Sequence, residues 1–292
     1  MFCQGVVVHF FIIFSFFLQV FQFFMKKYFP KGVINMVFGM PSLACFRSIE
    51  ENLAFANQLG LDFVELNMNL PFCTVQALQK ENLPSLCQKY GVTLTLHADE
   101  NLFFCDFNLL IAGAHLQTML DTIVLCRESG IPLINFHMSE GVHFSLPDRK
   151  LYLFEEYESI YQKRLLAFRE ACHQAADNSV RLCIENTGLR MPLIFRAIDL
   201  LLQSPAFALT WDTGHDHSAG GTDAPFLLAR KDRLIHMHLH DALGKKNHLA
   251  LGTGEIDLKA VLNAASPQRV VIEVKAPDEL TASVSYLKSH LL

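Results

Sequence analysis

Between residues 36 and 274 the chain passes through eight short apolar runs, and seven of them stop at or beside an acid or a histidine. The runs are 36–41 (MVFGMP), 62–66 (DFVEL), 92–97 (VTLTLH), 132–137 (PLINFH), 180–185 (VRLCIE), 207–212 (FALTWD), 235–240 (IHMHLH) and 269–274 (RVVIEV). The polar residues at their ends are Glu65, His97, His137, Glu185, Asp212, His238 and Glu273, separated by 32, 40, 48, 27, 26 and 35 positions. Such intervals hold one strand and one helix each, and helix-period patterns at 48–59, 114–129, 157–176 and 193–203 fill them. Gly60, Gly91, Gly130 to Pro132 and Pro205 punctuate the boundaries. Strands that alternate with helices pair in parallel. An ionisable group at the end of an apolar strand is costly to bury unless it is paired or bound to a metal. A doubly wound open sheet would spread the seven groups along an edge more than ~30 Å long, at roughly 4.8 Å per strand. A closed barrel brings them to one mouth. The expected fold is therefore a single (β/α)8 TIM barrel over 36–292, and no linker or low-complexity tract divides it.

Composition adds an exception and two exclusions. Residues 2–25 contain nine Phe and no Lys, Arg, Asp or Glu, and Lys26, Lys27 and Lys31 follow. Three readings of this apolar extension, 1–35, stand side by side. It is an upstream stretch ahead of a start at Met36, a membrane-spanning anchor that leaves the barrel in the cytoplasm, or an integral part of the fold. A cleaved signal peptide fits poorly, because no basic residue precedes the apolar run and no small-residue cleavage site follows. Beyond residue 35 the chain carries 21 basic and 29 acidic residues, a net of −8, which argues against a nucleic-acid partner. The eight cysteines show no CxxC pairing, which points away from a zinc ribbon or disulfide framework and towards a reducing, cytoplasmic setting.

Each polar strand end also has an ordinary structural reading. A histidine there can be a hydrogen-bonded core residue. Asp212, ahead of Thr213 and Gly214, can cap the next helix. Glu65 can orient a neighbour rather than touch substrate. Within 235–241, His236, His238 and His240 share one face, too far apart along the strand to bind one ion together. His238 is the preferred ligand, with His236 one layer deeper and His240 nearer the rim. Gly252-Thr253-Gly254 either cradles a phosphate with its backbone N–H groups or makes a tight turn before a helix at 256–264.

The segments LTLHADE, INFHMSEG, LCIENTG, LTWDTGHDH, MHLHDALGKKNHLALGTGEID and VVIEVK, in this order, resemble the xylose isomerase-like TIM barrels. That superfamily holds sugar isomerases and epimerases and the endonuclease IV-type nucleases, and the resemblance runs through nearly all of 36–292. In the epimerase branch, Glu185, Asp212, His238 and Glu273 correspond to the ligands of one divalent metal. Three carboxylates and an imidazole suit Mn²⁺, Mg²⁺ or Co²⁺ and tolerate Zn²⁺. The resemblance implies a metal-dependent sugar or sugar-phosphate isomerase/epimerase that works by proton abstraction through a metal-stabilised enediolate. Glu185 and Glu273 would move the proton and His215 would bind a substrate hydroxyl. Glu65, Lys246, Gly252 and Gly254 complete the expected substrate contacts.

In the nuclease branch His97 and His137 would join Glu185 at a second metal, and His215 and His248 would serve a third. The carboxylate expected two residues before His248 is replaced by Lys246, and Ala98-Asp99-Glu100 puts acids where the nucleases touch DNA. From the ketose epimerases the chain departs at Gly244, where they carry an arginine that Lys245 or Lys246 replaces only imperfectly. An endonuclease IV-like zinc hydrolase, a dehydratase and a non-catalytic sugar-binding barrel stay open as alternatives. A small sugar or sugar phosphate is the expected partner, and homo-oligomers are common in the superfamily.

Overall fold

The computed structural model describes residues 36–188 and 191–292. The expectations placed on 1–35 lie outside these residues. Eight parallel strands close into a barrel: β1 Val37–Pro41, β2 Phe63–Asn67, β3 Thr93–His97, β4 Leu133–His137, β5 Arg181–Glu185, β6 Phe207–Asp212, β7 Leu234–Leu239 and β8 Arg269–Ile272. Each strand pairs with its sequence neighbours, and β8 returns to β1. The (β/α)8 barrel expected from the strand-end pattern is the fold observed.

Side chains alternate across each strand. One set, including Val64, Leu66, Leu96, Phe136, Ile184, Trp211, Leu239 and Ile272, faces the surrounding helices and forms the main apolar core. The other set fills the lumen. It starts with a small apolar layer of Leu133, Cys183 and Ala208 and then turns polar, with Glu65, Thr95, Asn135, Thr210 and His236 all buried. Register decides which strand ends meet. His97 lies opposite Asn135, His137 opposite Glu185, and Asp212 opposite His238. Glu273 falls one residue past β8, yet its N–H still donates to the Leu239 carbonyl at 3.0 Å, which holds it level with the end of β7.

The helices start and stop where local chemistry requires. Ser48 caps Ile49–Leu59, Asn108 caps Leu109–Ser129 and Asp257 caps Leu258–Ala265, each with a side-chain oxygen accepting a first-turn N–H. Gly130 ends Leu109–Ser129 at φ 70°, a left-handed conformation that costs glycine little. That helix begins five residues before the expected 114, because Asn108 rather than the apolar pattern sets its start. It is also long and apolar enough to cross a membrane. Its Met119, Ile123 and Cys126 pack instead into the apolar core around the barrel.

Two hairpins were not foreseen: His143–Ser145 with Lys150–Tyr152 after β4, and Asp241–Leu243 with Lys246–Leu249 after β7. In the second, Gly244 at φ 57° opens a two-residue turn that lets Leu243 pair with Lys246.

The seven described cysteines are free thiols, and Cys73, Cys105, Cys126, Cys172 and Cys183 are buried. Burial raises all five of these thiols, Cys73 and Cys105 to about 12. Peptide-mapped iodoacetamide labelling of native protein should therefore modify Cys45 readily, Cys87 more slowly, and these five only after unfolding. Native labelling of any of the five at the rate of Cys45 would contradict this packing.

Candidate metal centre

Four strand ends converge. Glu185 on β5, Asp212 on β6, His238 on β7 and Glu273 after β8 each present a donor atom within 4.8 Å of the others. At the middle is His238, 1% exposed, whose Nδ1 lies 3.3 Å from Glu185 Oε2, 3.2 Å from Glu273 Oε2 and 3.9 Å from Asp212 Oδ2. The opposite ring nitrogen, Nε2, lies 2.7 Å from Glu65 Oε1. With its proton on Nε2, the ring turns the Nδ1 lone pair towards three carboxylates. His238 Nδ1 and Glu273 Oε2 are both buried and make no hydrogen bond. A buried lone pair among anions is unfavourable without a positive charge between them. The donor set therefore fits a divalent cation, and its three carboxylates favour a hard one.

The titration behaviour has the same cause. Burial disfavours the charged forms of Glu185 and Glu273, yet His238 holds both carboxyls below the usual range. Asp212 moves the other way, raised by burial and then by the charge of Glu273. Burial lowers His238, but Glu185, Glu273 and Glu65 outweigh it and raise the ring well above its ordinary value. The centre is short of one positive charge, which a proton on His238 or a bound cation supplies.

A second group abuts the first. His97 Nε2 and His137 Nε2 lie 3.4 and 3.2 Å from Glu185 Oε2, with the two rings edge to face at 4.9 Å. His97 Nδ1 donates to the Ala98 carbonyl at 2.8 Å, so Nε2 is the atom turned to Glu185. Asn135 Nδ2 also donates to Glu185 Oε2, and Thr210 Oγ1 fixes Asn135 by donating to its Oδ1 at 2.6 Å.

On the other side stand His215, His240 and His248. Asp212 combines the two roles considered for it: Oδ1 accepts the His215 N–H at 2.6 Å as cap of Thr213–Ser218, while Oδ2 faces the centre. His215 Nε2 is 4.0 Å from Asp212 Oδ2 at a partly open position. His248 packs its ring on His240, with centroids 4.2 Å apart, and burial lowers it to about 4.

His240, which the strand period puts nearer the rim than His238, is fully buried. β7 ends at Leu239, and the turn into the hairpin carries the His240 ring onto Asp212. Its Nδ1 accepts the His248 N–H at 2.8 Å, which leaves Nε2–H to donate to both Asp212 oxygens at 3.0 Å. Gly214 makes room for that ring: a Cβ there would sit 2.0 Å from His240 Cε1.

Of the four expected substrate contacts, Glu65, Gly252 and Gly254 are already engaged within the protein. Glu65 is 2% exposed, and its oxygens accept from His236, His238 and Thr95, so it does not reach a substrate. The Gly252 and Gly254 amides donate to Asp241 Oδ2 at 3.0 and 2.8 Å, while Oδ1 accepts from Ala242 and Ile256. An internal carboxylate thus already occupies the place foreseen for a phosphate. Lys246 lies exposed on the hairpin and takes no part in the histidine–carboxylate contacts. The space beside the centre is instead a pocket of about 220 Å³ reaching Glu273, walled in part by Ser42, Asn67, Asn69, Glu100 and Lys275.

Asn135, Thr210, Asn186 and Asp241 are not picked out in the sequence reading. For two of them a signal was present: Asn135 and Thr210 sit two residues before His137 and Asp212, as Thr95 and His236 do before His97 and His238. Counting down each strand in steps of two finds the layer that supports the mouth. Asn186, which accepts the Asp212 N–H at 2.7 Å, left no such mark.

A family model described as xylose isomerase-like TIM barrel matches residues 53–290. Among solved structures, a D-tagatose 3-epimerase-like protein is 21% identical with a TM-score of 0.71, covering 88% of this chain and 97% of that one. A 3-keto-D-glucoside 4-epimerase from E. coli is 17% identical with a TM-score of 0.67, covering 87% and 98%. The IolI protein with a bound zinc atom is 14% identical with a TM-score of 0.66, covering 87% and 97%. No curated protein matches the sequence at a significant level.

Gly214→Ala should push His240 off Asp212, lower stability by about 1–3 kcal/mol and weaken divalent-ion binding. A variant with unchanged melting temperature and unchanged ion affinity would show that the His240–Asp212 contact does not support the centre.

Proposed function

Because the chain belongs to the xylose isomerase-like TIM barrel family, we propose that it is a metal-dependent sugar isomerase or epimerase acting at the mouth of the barrel. The observation that carries this reading is the His238 Nδ1 lone pair set among Glu185, Asp212 and Glu273. These four residues would hold the ion. A divalent ion bound there supplies the Lewis acidity that makes a C–H beside a carbonyl removable.

The protein's own groups then divide the work. Glu273, with Oε2 free of hydrogen bonds and its carboxyl bordering the pocket, takes the proton from substrate carbon. Glu185 is deeper, and its Oε2 is committed to Asn135 and to the surrounding histidines, so its other oxygen is the one that takes up a proton from solvent and passes it to the substrate carbon. His215, partly open beside Asp212, donates to a substrate hydroxyl. The pocket's amides and hydroxyl suit a small polyol, and 220 Å³ lies below the roughly 300–1,000 Å³ of drug-sized sites. Since Asp241 already takes the Gly252 and Gly254 amides, we favour an unphosphorylated sugar over a sugar phosphate. Sugar epimerases among the structural neighbours support this substrate class, and seven free thiols support a cytoplasmic, reducing setting.

One observation favours a second reading. His97, His137 and Glu185 form a group able to hold another ion, which suits a zinc hydrolase that activates water. The net charge of −8 over 36–292 argues against DNA as its substrate.

Metal content and exchange kinetics separate the two. Protein purified without chelators should carry one divalent ion per chain as an isomerase. Two or three zincs per chain, with one lost in His97→Ala, would favour the hydrolase, and none would favour a binding barrel. Glu273→Gln should cut solvent-deuterium incorporation into substrate at least ~100-fold. Incorporation at the wild-type rate would remove Glu273 from the proton transfer.

A further inference from the structure

Below the metal centre lies a carboxylate that the reaction above does not use. Glu65 comes from β2, on the far side of the barrel from β7, and reaches across the lumen to two histidines of that strand. Its Oε1 meets His238 Nε2 at 2.7 Å, and its Oε2 meets His236 Nε2 at 2.9 Å. Thr95, on the neighbouring β3, donates to Oε2 at 3.1 Å and holds the carboxylate in place. Glu65, His236 and His238 are at most 2% exposed, so water cannot stand in for a lost partner. Glu65, His236 and His238 could be read as a further metal group. The N–O separations of 2.7 and 2.9 Å are those of hydrogen bonds, and both Glu65 oxygens are engaged by them.

We propose that Glu65 is the positioning residue of the metal centre, locking His238 in the tautomer that turns an unprotonated Nδ1 to the ion. This rests on the metal-dependent reading above. An ionised carboxylate has no proton to donate, so each imidazole nitrogen facing it must carry the hydrogen. His238 is therefore forced to hold its proton on Nε2, and Nδ1 is the only nitrogen left to bind a cation. The pairing also lends negative charge to the ring and makes Nδ1 a better donor, as outer carboxylates do for other metal-bound histidines. His236 supplies the second hydrogen bond and keeps the carboxylate ionised. This explains why the chain buries a charged group a full layer beneath its active mouth.

An amide in the same place would remove the lock. In Glu65→Gln one end of the side chain donates and the other accepts, so the amide can face His238 with its NH2. His238 would then move its proton to Nδ1, where it blocks the ion. Replacing His236 by Gln keeps an N–H directed at Glu65 and leaves the His238 tautomer alone. Glu65→Asp keeps the charge but draws the carboxylate back from both rings, which loosens the hold on His238.

The test is Mn²⁺ affinity of the full chain, read from free Mn²⁺ by electron paramagnetic resonance. Circular dichroism and unfolding in chelator report the fold separately. Glu65→Gln should bind Mn²⁺ about 10–100-fold more weakly while its metal-free fold persists, Glu65→Asp should fall between, and His236→Gln should stay near wild type. Wild-type affinity in Glu65→Gln overturns the proposal, as does an equal loss in His236→Gln. Should Glu65→Gln not fold, Glu65→Asp decides alone, and unchanged Mn²⁺ affinity in it rejects the lock. Absence of Mn²⁺ binding by wild type would instead sink the metal-dependent reading itself.

Discussion

A histidine nitrogen facing three carboxylates in a water-excluded space is the constraint that orders the rest of this molecule. His238 Nδ1 has Glu185, Asp212 and Glu273 oxygens within 3.9 Å, and neither it nor Glu273 Oε2 makes a hydrogen bond. In the interior such an arrangement is stable only around positive charge, since attraction to a cation offsets a desolvation cost of several kcal/mol per ion. Buried polar groups around it hold the four donors in place. Asn135 and Thr210 hold Glu185, Asn186 and His240 hold Asp212, and Glu65 holds His238.

The barrel is what makes the constraint possible. Donors from four consecutive strand ends, spread over 89 positions from Glu185 to Glu273 counting both, reach one point because parallel register puts the strand ends level. The lumen below is filled by short polar side chains that hydrogen-bond upward, so the centre rests on a floor with few degrees of freedom. The pocket opens on the Glu273 side, where the one carboxylate with an appreciably exposed side chain, at 18%, meets it.

Much of this is legible in the amino-acid sequence. Strand ends at one-unit spacing point to a closed barrel, because only closure brings seven costly groups together. Glu185, Asp212, His238 and Glu273 were singled out through the resemblance, and the structure does bring them together. What stayed hidden depends on geometry that spacing does not encode. His240 belongs to the face of His238 by period, yet past the end of β7 at Leu239 its ring is buried and bonded to Asp212. Gly252-Thr253-Gly254 has the composition of an anion cradle, and it is one, but the anion is the protein's own Asp241. Glu65 stands beside the end of the apolar run DFVEL, yet β2 continues to Asn67, so Glu65 pairs with Thr95 and lies one layer below His97.

The central claim is that these four donors share one cation. The most direct measurement is the number of divalent ions retained per chain, by elemental analysis of protein prepared without chelators, for wild type and for His238→Gln. The account predicts one ion in the wild type and almost complete loss in the variant, with the barrel still folded. An ion retained at full stoichiometry without the His238 imidazole, or a wild type that binds none at millimolar Mn²⁺, would contradict it.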